Sequence, residues 1–180
     1  MEKIVLNGKT FRPYISNDKI IKAIDEVAEK VNADYRGCED VPILICVLNG
    51  AIMFTGEMMK RLKFDLELCS VKLSSYVGTK STGTVLSVLG LTADIRGRRV
   101  IVCEDIVDTG NTIVALKEML IDKGAADVKI CTMLFKPEVY KKKDRIDYIG
   151  MEIPNDFITG FGLDYDEIGR NYNDIYVIDE

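Results

Sequence analysis

The chain has no histidine and no tryptophan among its 180 residues, and only four prolines. Without histidine it lacks the usual general base and the commonest zinc ligand, so acid–base chemistry falls to carboxylates, Lys, Tyr or Cys. Any catalytic metal is then expected to be a hard cation held by oxygen, such as Mg²⁺. A membrane-crossing helix needs ~18 or more apolar residues in a row, and no run approaches that. The N-terminal stretch MEKIVLNGKT carries no signal-peptide core, so the expected location is the cytoplasm. Positive charge is in short supply: 24 Lys and Arg face 29 Asp and Glu, for a net charge of −5. A dominant basic surface for nucleic acid is therefore excluded, although a local patch stays open. Also missing are a G-x-G-x-x-G after a strand and a G-x-x-x-x-G-K-[ST], which removes the dinucleotide and P-loop readings. The five cysteines match neither a disulfide framework nor a metal-ligand spacing. Cys46, Cys69, Cys103 and Cys131 lie inside apolar runs, where a free thiol behaves as a small buried hydrophobe.

What is present is ordinary for a globular protein: 47% hydrophobic and 29% charged residues, with no repeat, low-complexity tract or linker. A single domain over residues 1–180 is expected. Ser16-Asn17-Asp18 offers N-caps to a helix whose apolar residues, Ile20, Ile21, Ile24, Val27, Ala28 and Val31, recur at helical spacing. VPILICVL (41–48) reads as a strand apolar on both faces, and Asn49-Gly50 turns it into a second helix, AIMFTGEMMKRL. LELCSVKL (66–73) is a further strand, and SSYVGTKSTGT (74–84) reads as a mobile surface loop. A strand at 98–103 leads to a helix ended by Gly124 as its C′ residue. VKICTMLF (128–135) is another buried strand, followed by Lys136-Pro137. IDYIGMEI and NDIYVID are shorter strands near the end. Strands alternating with helices, several of them apolar on both faces, predict an α/β fold with a largely parallel twisted sheet flanked by helices. Ligands of such sheets bind at the carboxyl ends of the strands. Four of those ends carry unusual residues: Asn49-Gly50, Glu104–Thr112, Lys136 and Asp156–Asp164.

The densest of these is RRVIVCEDIVDTGNTIVALKEML (98–120). Three carboxylates, Glu104, Asp105 and Asp108, crowd the end of a strand that turns into a helix. Thr109-Gly110-Asn111-Thr112 opens that helix, whose first N–H groups lack intrahelical partners and so suit a phosphate dianion. The same four residues would also serve as a plain turn and N-cap. Glu104 and Asp105 would repel a phosphate aimed at them but suit hydroxyl donors and a bound cation, because an ionised carboxylate only accepts hydrogen bonds. The turn therefore fits a sugar phosphate whose vicinal diol and Mg²⁺ face the acid pair. Asp108, between the two sub-sites, is either an N-cap or, with no histidine available, a general base. Receiver domains also gather Asp around Mg²⁺ but need an acidic pair on the first strand, where this chain has Asn7-Gly8.

VIVCEDIVDTGNT resembles the 5-phosphoribosyl-1-pyrophosphate signature of type I phosphoribosyltransferases: hydrophobic residues, an acidic pair, then D-[TS]-G-x-T. Lys136 and EIPNDFITGFGLDY (152–165) resemble the branch of that family that uses 6-oxopurines, and the likeness runs from the N-terminal strand to the C-terminal one. The resemblance implies the family's fold, a sheet flanked by helices with a small hood region, and Mg²⁺ as cofactor. It implies transfer of a phosphoribosyl group to hypoxanthine or guanine, small-molecule partners alone, no nucleic acid or membrane, and a homodimer or homotetramer. Glu104 and Asp105 would hold the ribose hydroxyls, partly through Mg²⁺. Asp108 would bind or take the proton at purine N7. Thr109, Gly110, Asn111 and Thr112 would bind the 5′-phosphate. Lys136 would donate to the base carbonyl, Phe157 would stack on the base and the backbone of Ile158 would read its edge. Asp164 would ligate a second Mg²⁺ and Arg170 would grip pyrophosphate. Asn49 and Gly50 fall in the family's pyrophosphate loop, which often holds a non-proline cis peptide, here Leu48–Asn49. Relatives commonly carry Lys or Arg at that position, so this loop has one positive charge fewer. Ser75 and Tyr76 fall in the loop that closes over the reacting centre. Lys141-Lys142-Lys143 matches no motif and reads as a solvated face. A xanthine-preferring enzyme and a non-catalytic, nucleotide-sensing RNA-binding regulator remain the alternatives.

Overall fold

The computed structural model describes residues 2–77 and 84–179, the side chains of 74–88 excepted. In chain order the elements are β1 (Ile4–Leu6), β2 (Lys9–Ile15), α1 (Asn17–Asp34), β3 (Ile43–Leu48), α2 (Ile52–Met59), β4 (Glu67–Val77) and β5 (Thr84–Leu89). There follow β6 (Arg99–Val107), α3 (Asn111–Asp122), β7 (Asp127–Phe135), β8 (Tyr148–Glu152), β9 (Ile158–Thr159) and β10 (Ile175–Ile178). Six strands form the main sheet in the order β5-β4-β3-β6-β7-β8. All its pairings are parallel except β4 with β5. The second sheet, β1-β2-β10-β9, is antiparallel and draws its strands from the two ends of the chain. It forms the expected hood.

The sheet is buried on both faces because its strands are apolar at odd and even positions alike. Leu44, Ile101, Cys103 and Met133 pack with Ile24 and Val27 of α1 and with Phe54 and Met58 of α2. Ile45, Val100, Val102 and Ile130 pack with Ile113, Leu116 and Leu120 of α3 on the other side. The expected first helix forms, with Ser16 as its backbone N-cap. Its first donor is satisfied from far along the chain, since Asn17 N donates to Asp174 Oδ1 at 2.7 Å. At the end of α3, Gly124 N donates to Ile121 O at 2.8 Å and Ala125 N to Leu120 O at 3.1 Å, the paired bonds of a Schellman motif with Gly124 at C′. All five cysteines are free thiols, and Cys46, Cys69, Cys103 and Cys131 are buried. No helix among the described residues is long and apolar enough to cross a membrane.

Two expectations change, and one strand appears that the sequence did not mark. The loop expected over 74–84 is partly sheet: Ser74–Val77 continue β4, and Thr84 begins β5, with Ser75 opposite Leu86 and Tyr76 opposite Val85. Ser, Thr and Gly signal a loop by composition, but Thr, Tyr and Val also suit a paired strand once a neighbour is available. Residues 78–83 of that segment lie outside the described residues. The strand expected at 98–103 runs on to Val107, held by β7 through Glu104 opposite Thr132 and Ile106 opposite Leu134. KTFRPYI, which lacks strict alternation and contains a proline, is strand β2. Pro13 sits opposite Tyr176 where the β10 register slips, a place that tolerates a missing N–H.

Candidate active site

Because β3, β6, β7 and β8 run parallel, their carboxyl ends share one side of the sheet, and the four marked segments emerge there. Glu104 and Asp105 lie within the carboxyl-terminal half of β6, ahead of Ile106 and Val107, rather than in the loop beyond it. Their carboxylates lie close to the backbone: Asp105 N donates to Glu104 Oε1 at 3.2 Å, and Ile106 N donates to Asp105 Oδ1 at 2.8 Å. Burial, with the Asp105 charge beside it, holds the Glu104 carboxyl well above the usual carboxylate range. Neither acid has a Lys or Arg partner among the described residues. A crowded, unneutralised pair of oxygen donors suits a hard cation and sugar hydroxyls.

Two glycines bring the other segments onto this pair. A Cβ on Gly50 would overlap Asp105 Oδ2, and a Cβ on Gly162 would overlap the Gly50 carbonyl oxygen. The Asp105 side chain thus packs on the Gly50 backbone, and the Gly50 backbone on that of Gly162, at approaches that no larger residue at 50 or 162 permits. The Leu48–Asn49 bond at that turn is cis, as the resemblance implied.

Beyond β6 the chain makes an anion-sized cradle. Gly110, at φ 81°, is the N-cap of α3, and no side chain caps the helix. A cavity of about 110 Å³ opens there, bordered by Glu104, Asp108, Thr109, Gly110, Asn111 and Thr112. Uncapped N–H groups at a helix start are the donors a phosphate needs. The outer side of Gly110 is closed by the Tyr140 ring and the stem of Lys142. One member of the exposed lysine run therefore packs its stem against Gly110.

Lys136 follows β7 and is 93% buried, at 7% exposure. Its ammonium lies 3.5 Å from Asp108 Oδ2 and donates to Asn155 Oδ1 at 3.1 Å. Asp108 itself is half-exposed. Asn155 had no signal in the sequence beyond its place in EIPNDF; only the fold brings it to Lys136.

Phe157 is 49% exposed although it is a large aromatic. It meets Tyr165 edge-on at 5.7 Å and Phe11 at 6.4 Å, with its remaining surface open to solvent. Beside it lies a cavity of about 480 Å³ bordered by Arg12, Asn155, Asp156, Val177 and Asp179. Ile158 is buried in β9, paired with Val177 of β10, and its side chain serves the core. Asp164 and Arg170 hold each other: the guanidinium is 2.7 Å from Asp164 Oδ1 and donates to Gly162 O at 2.8 Å. Asp164 is therefore engaged by Arg170 rather than gathered with Glu104 and Asp105, and no cluster of three potential metal ligands occurs among the described residues. Ser75 and Tyr76 are placed by backbone alone, on β4.

Known proteins are similar to this chain in sequence and in fold. The phosphoribosyl transferase domain family matches residues 14–166. The chain is 40% identical over 177 residues to the hypoxanthine-guanine phosphoribosyltransferase of Streptococcus pneumoniae strain R6, covering 98% of this chain and 97% of that protein. It is 39% identical over 166 residues to the enzyme of the same name from Streptococcus thermophilus strain CNRZ 1066, covering 92% and 91%. Among solved structures, a hypoxanthine phosphoribosyltransferase from Staphylococcus aureus superposes with a TM-score of 0.85 at 30% identity, covering 93% of this chain and 91% of that one. A hypoxanthine-guanine phosphoribosyltransferase from Bacillus anthracis, with HEPES in its active site, gives 0.85 at 32% identity, covering 93% and 98%. The acid pair on β6, the uncapped cradle at α3 and these likenesses over nearly the whole chain agree, and the chain belongs to the phosphoribosyl transferase family.

Proposed function

We propose that the chain is a purine-salvage transferase, a single phosphoribosyltransferase domain over residues 1–180. It moves the 5-phosphoribosyl group of 5-phosphoribosyl-1-pyrophosphate to N9 of hypoxanthine or guanine, yielding IMP or GMP and pyrophosphate. The observation that supports this is the convergence, at one end of the sheet, of a phosphate-sized cradle, an acid pair with no Lys or Arg partner among the described residues, and a buried lysine held by Asn155, which borders the same cavity as the half-exposed Phe157. The cradle residues Thr109, Gly110, Asn111 and Thr112 bind the 5′-phosphate. Glu104 and Asp105 accept hydrogen bonds from the ribose hydroxyls. Phe157 offers its open face to the base, the Ile158 backbone reads the base edge, and Lys136 donates to the carbonyl oxygen. Asp108 takes or shares the N7 proton as N9 attacks C1 of the sugar and the bond from C1 to pyrophosphate breaks. Arg170, with Asn49 and Gly50 nearby in the turn after β3, faces the departing pyrophosphate, and Ser75 and Tyr76 lie on the segment that closes the site.

Glu104 and Asp105 would hold one Mg²⁺ and Asp164, once released by Arg170, a second; when bound, Mg²⁺ neutralises charge on the pyrophosphate. The enzyme is proposed to work in the cytoplasm as a homodimer or homotetramer. The test offers 5-phosphoribosyl-1-pyrophosphate and Mg²⁺ with hypoxanthine, guanine, xanthine, adenine, uracil and orotate in turn. Nucleotide formation with hypoxanthine or guanine and not adenine is expected. Turnover of xanthine alone would move the specificity, and no turnover with any base would overturn the function.

A further inference from the structure

The Lys136 backbone is fixed: its N–H donates to Val107 O at 3.0 Å, and its carbonyl accepts from Val139 N and Tyr140 N. What remains adjustable is where the ammonium goes, and two groups compete for it. Asp108 carries charge and would ordinarily draw an ammonium to ~2.7–2.9 Å. Yet the ammonium stands 3.5 Å from Asp108 and 3.1 Å from the neutral amide oxygen of Asn155. The weaker electrostatic partner holds the closer position. Asn155 is exposed on its outer side and borders the cavity beside Phe157.

We propose that Asn155 is a positioning residue for base recognition, acting through Lys136. Its Oδ1 holds the ammonium off Asp108, so that Asp108 is not consumed by an ion pair and keeps acceptor capacity for the base. Of the three ammonium hydrogens, one goes to Asn155 and one faces Asp108. The third is left for a carbonyl oxygen on the base. A base with an exocyclic amine at that place offers hydrogens to a group that can only donate, and is disfavoured. An amide suits the role because it accepts without adding charge; a carboxylate at 155 would capture the ammonium in a second ion pair. The inference rests on the function proposed above.

The test measures KM for hypoxanthine and for 5-phosphoribosyl-1-pyrophosphate, with kcat, in Asn155→Ala, Asn155→Asp, Lys136→Ala and the double variant Lys136→Ala with Asn155→Ala. Asn155→Ala is expected to raise KM for hypoxanthine about tenfold, the worth of one hydrogen bond to a charged group, with the sugar-diphosphate KM changed less than about twofold. Asn155→Asp, nearly the same shape, is expected to raise it as well, which separates charge from packing should the Ala variant fold poorly. In the Lys136→Ala background, Asn155→Ala is expected to add less than about twofold, because its effect passes through a side chain already removed. Multiplying losses in the double variant, or equal rises in both KM values, would overturn the positioning role. So would wild-type kinetics in Asn155→Ala. Absence of any turnover by the wild-type protein would instead overturn the proposed function and this inference with it.

Discussion

Asp108 lies 3.5 Å from the Lys136 ammonium and is half-exposed, and in the proposed reaction it is the carboxylate that takes the purine proton. Replacing it with Asn keeps the shape and removes the basicity. Asp108→Asn is expected to lower kcat by ~10²–10⁴-fold, with KM for 5-phosphoribosyl-1-pyrophosphate changed less than about threefold. Equal losses in kcat and in sugar binding, from steady-state kinetics, would contradict a base. Glu104 makes a different point, because its carboxyl is held above the ordinary range by burial and by Asp105. A carboxyl with a raised folded pKa favours the fold only while protonated. That contribution is complete below the unfolded carboxylate pKa and is lost as pH rises through the raised value. Glu104→Gln cannot ionise. In ligand-free protein its Tm advantage over wild type is therefore expected to grow as pH rises, while binding of the sugar diphosphate weakens. Melting curves across pH read the first and titration calorimetry the second; a Tm difference that does not change with pH would rule out the buried charge. Both acids stood out in the sequence, because three carboxylates crowd the end of a single apolar strand. Asn155 did not stand out, since one polar residue in a loop is chemically unremarkable until a partner lies beside it.

The unit of function at the next scale is the strand–turn–helix of β6 and α3. Gly110 stands at φ 81° with the Tyr140 ring against it, so a side chain there would be strained and would overlap the ring. Gly110→Ala is expected to cost ~1–3 kcal/mol, or several degrees of Tm at ~2–4 °C per kcal/mol for a chain this size. It should also raise KM for the sugar diphosphate more than KM for the base; thermal melts and steady-state kinetics check the two halves. An unchanged Tm would mean that Tyr140 yields freely. Most elements were legible at this level. The buried runs 43–48 and 128–135 and the periodic helix 17–34 matched their patterns, because burial on both faces or along one stripe writes itself into sequence. The limits of β6 and the arms of β4 and β5 were not legible. Glu104 stays in a strand because β7 pairs with it, and Ser74–Val77 are strand because β5 returns alongside; neither neighbour is local information.

Across the whole molecule, Phe157, the proposed base-stacking residue, leans on a hood made from both ends of the chain. Phe11 of β2 is fully buried and packs against Phe157 and Tyr165, which come from the segment between β8 and β10. Phe11→Ala is expected to destabilise the protein by ~3–5 kcal/mol. In the folded fraction it should raise KM for the base more than KM for the sugar diphosphate, since it undercuts Phe157 and leaves the α3 cradle intact. Denaturant unfolding and paired KM measurements test this, and a larger effect on the sugar diphosphate would show that hood and cradle are not separable.

Taken by itself, the sequence determined the fold class, the acid pair, the glycine-containing turn that opens α3 and the absence of histidine chemistry. These depend on residue type and on spacing within a few tens of residues, which local propensity and burial patterns encode. Only the tertiary structure decided that Gly50 lies between Asp105 and Gly162, that Arg170 holds Asp164, and that Asn155 shares the Lys136 ammonium with Asp108. Those contacts join residues from separate elements, and their distances follow from sheet order and backbone packing rather than from any property the residues carry alone.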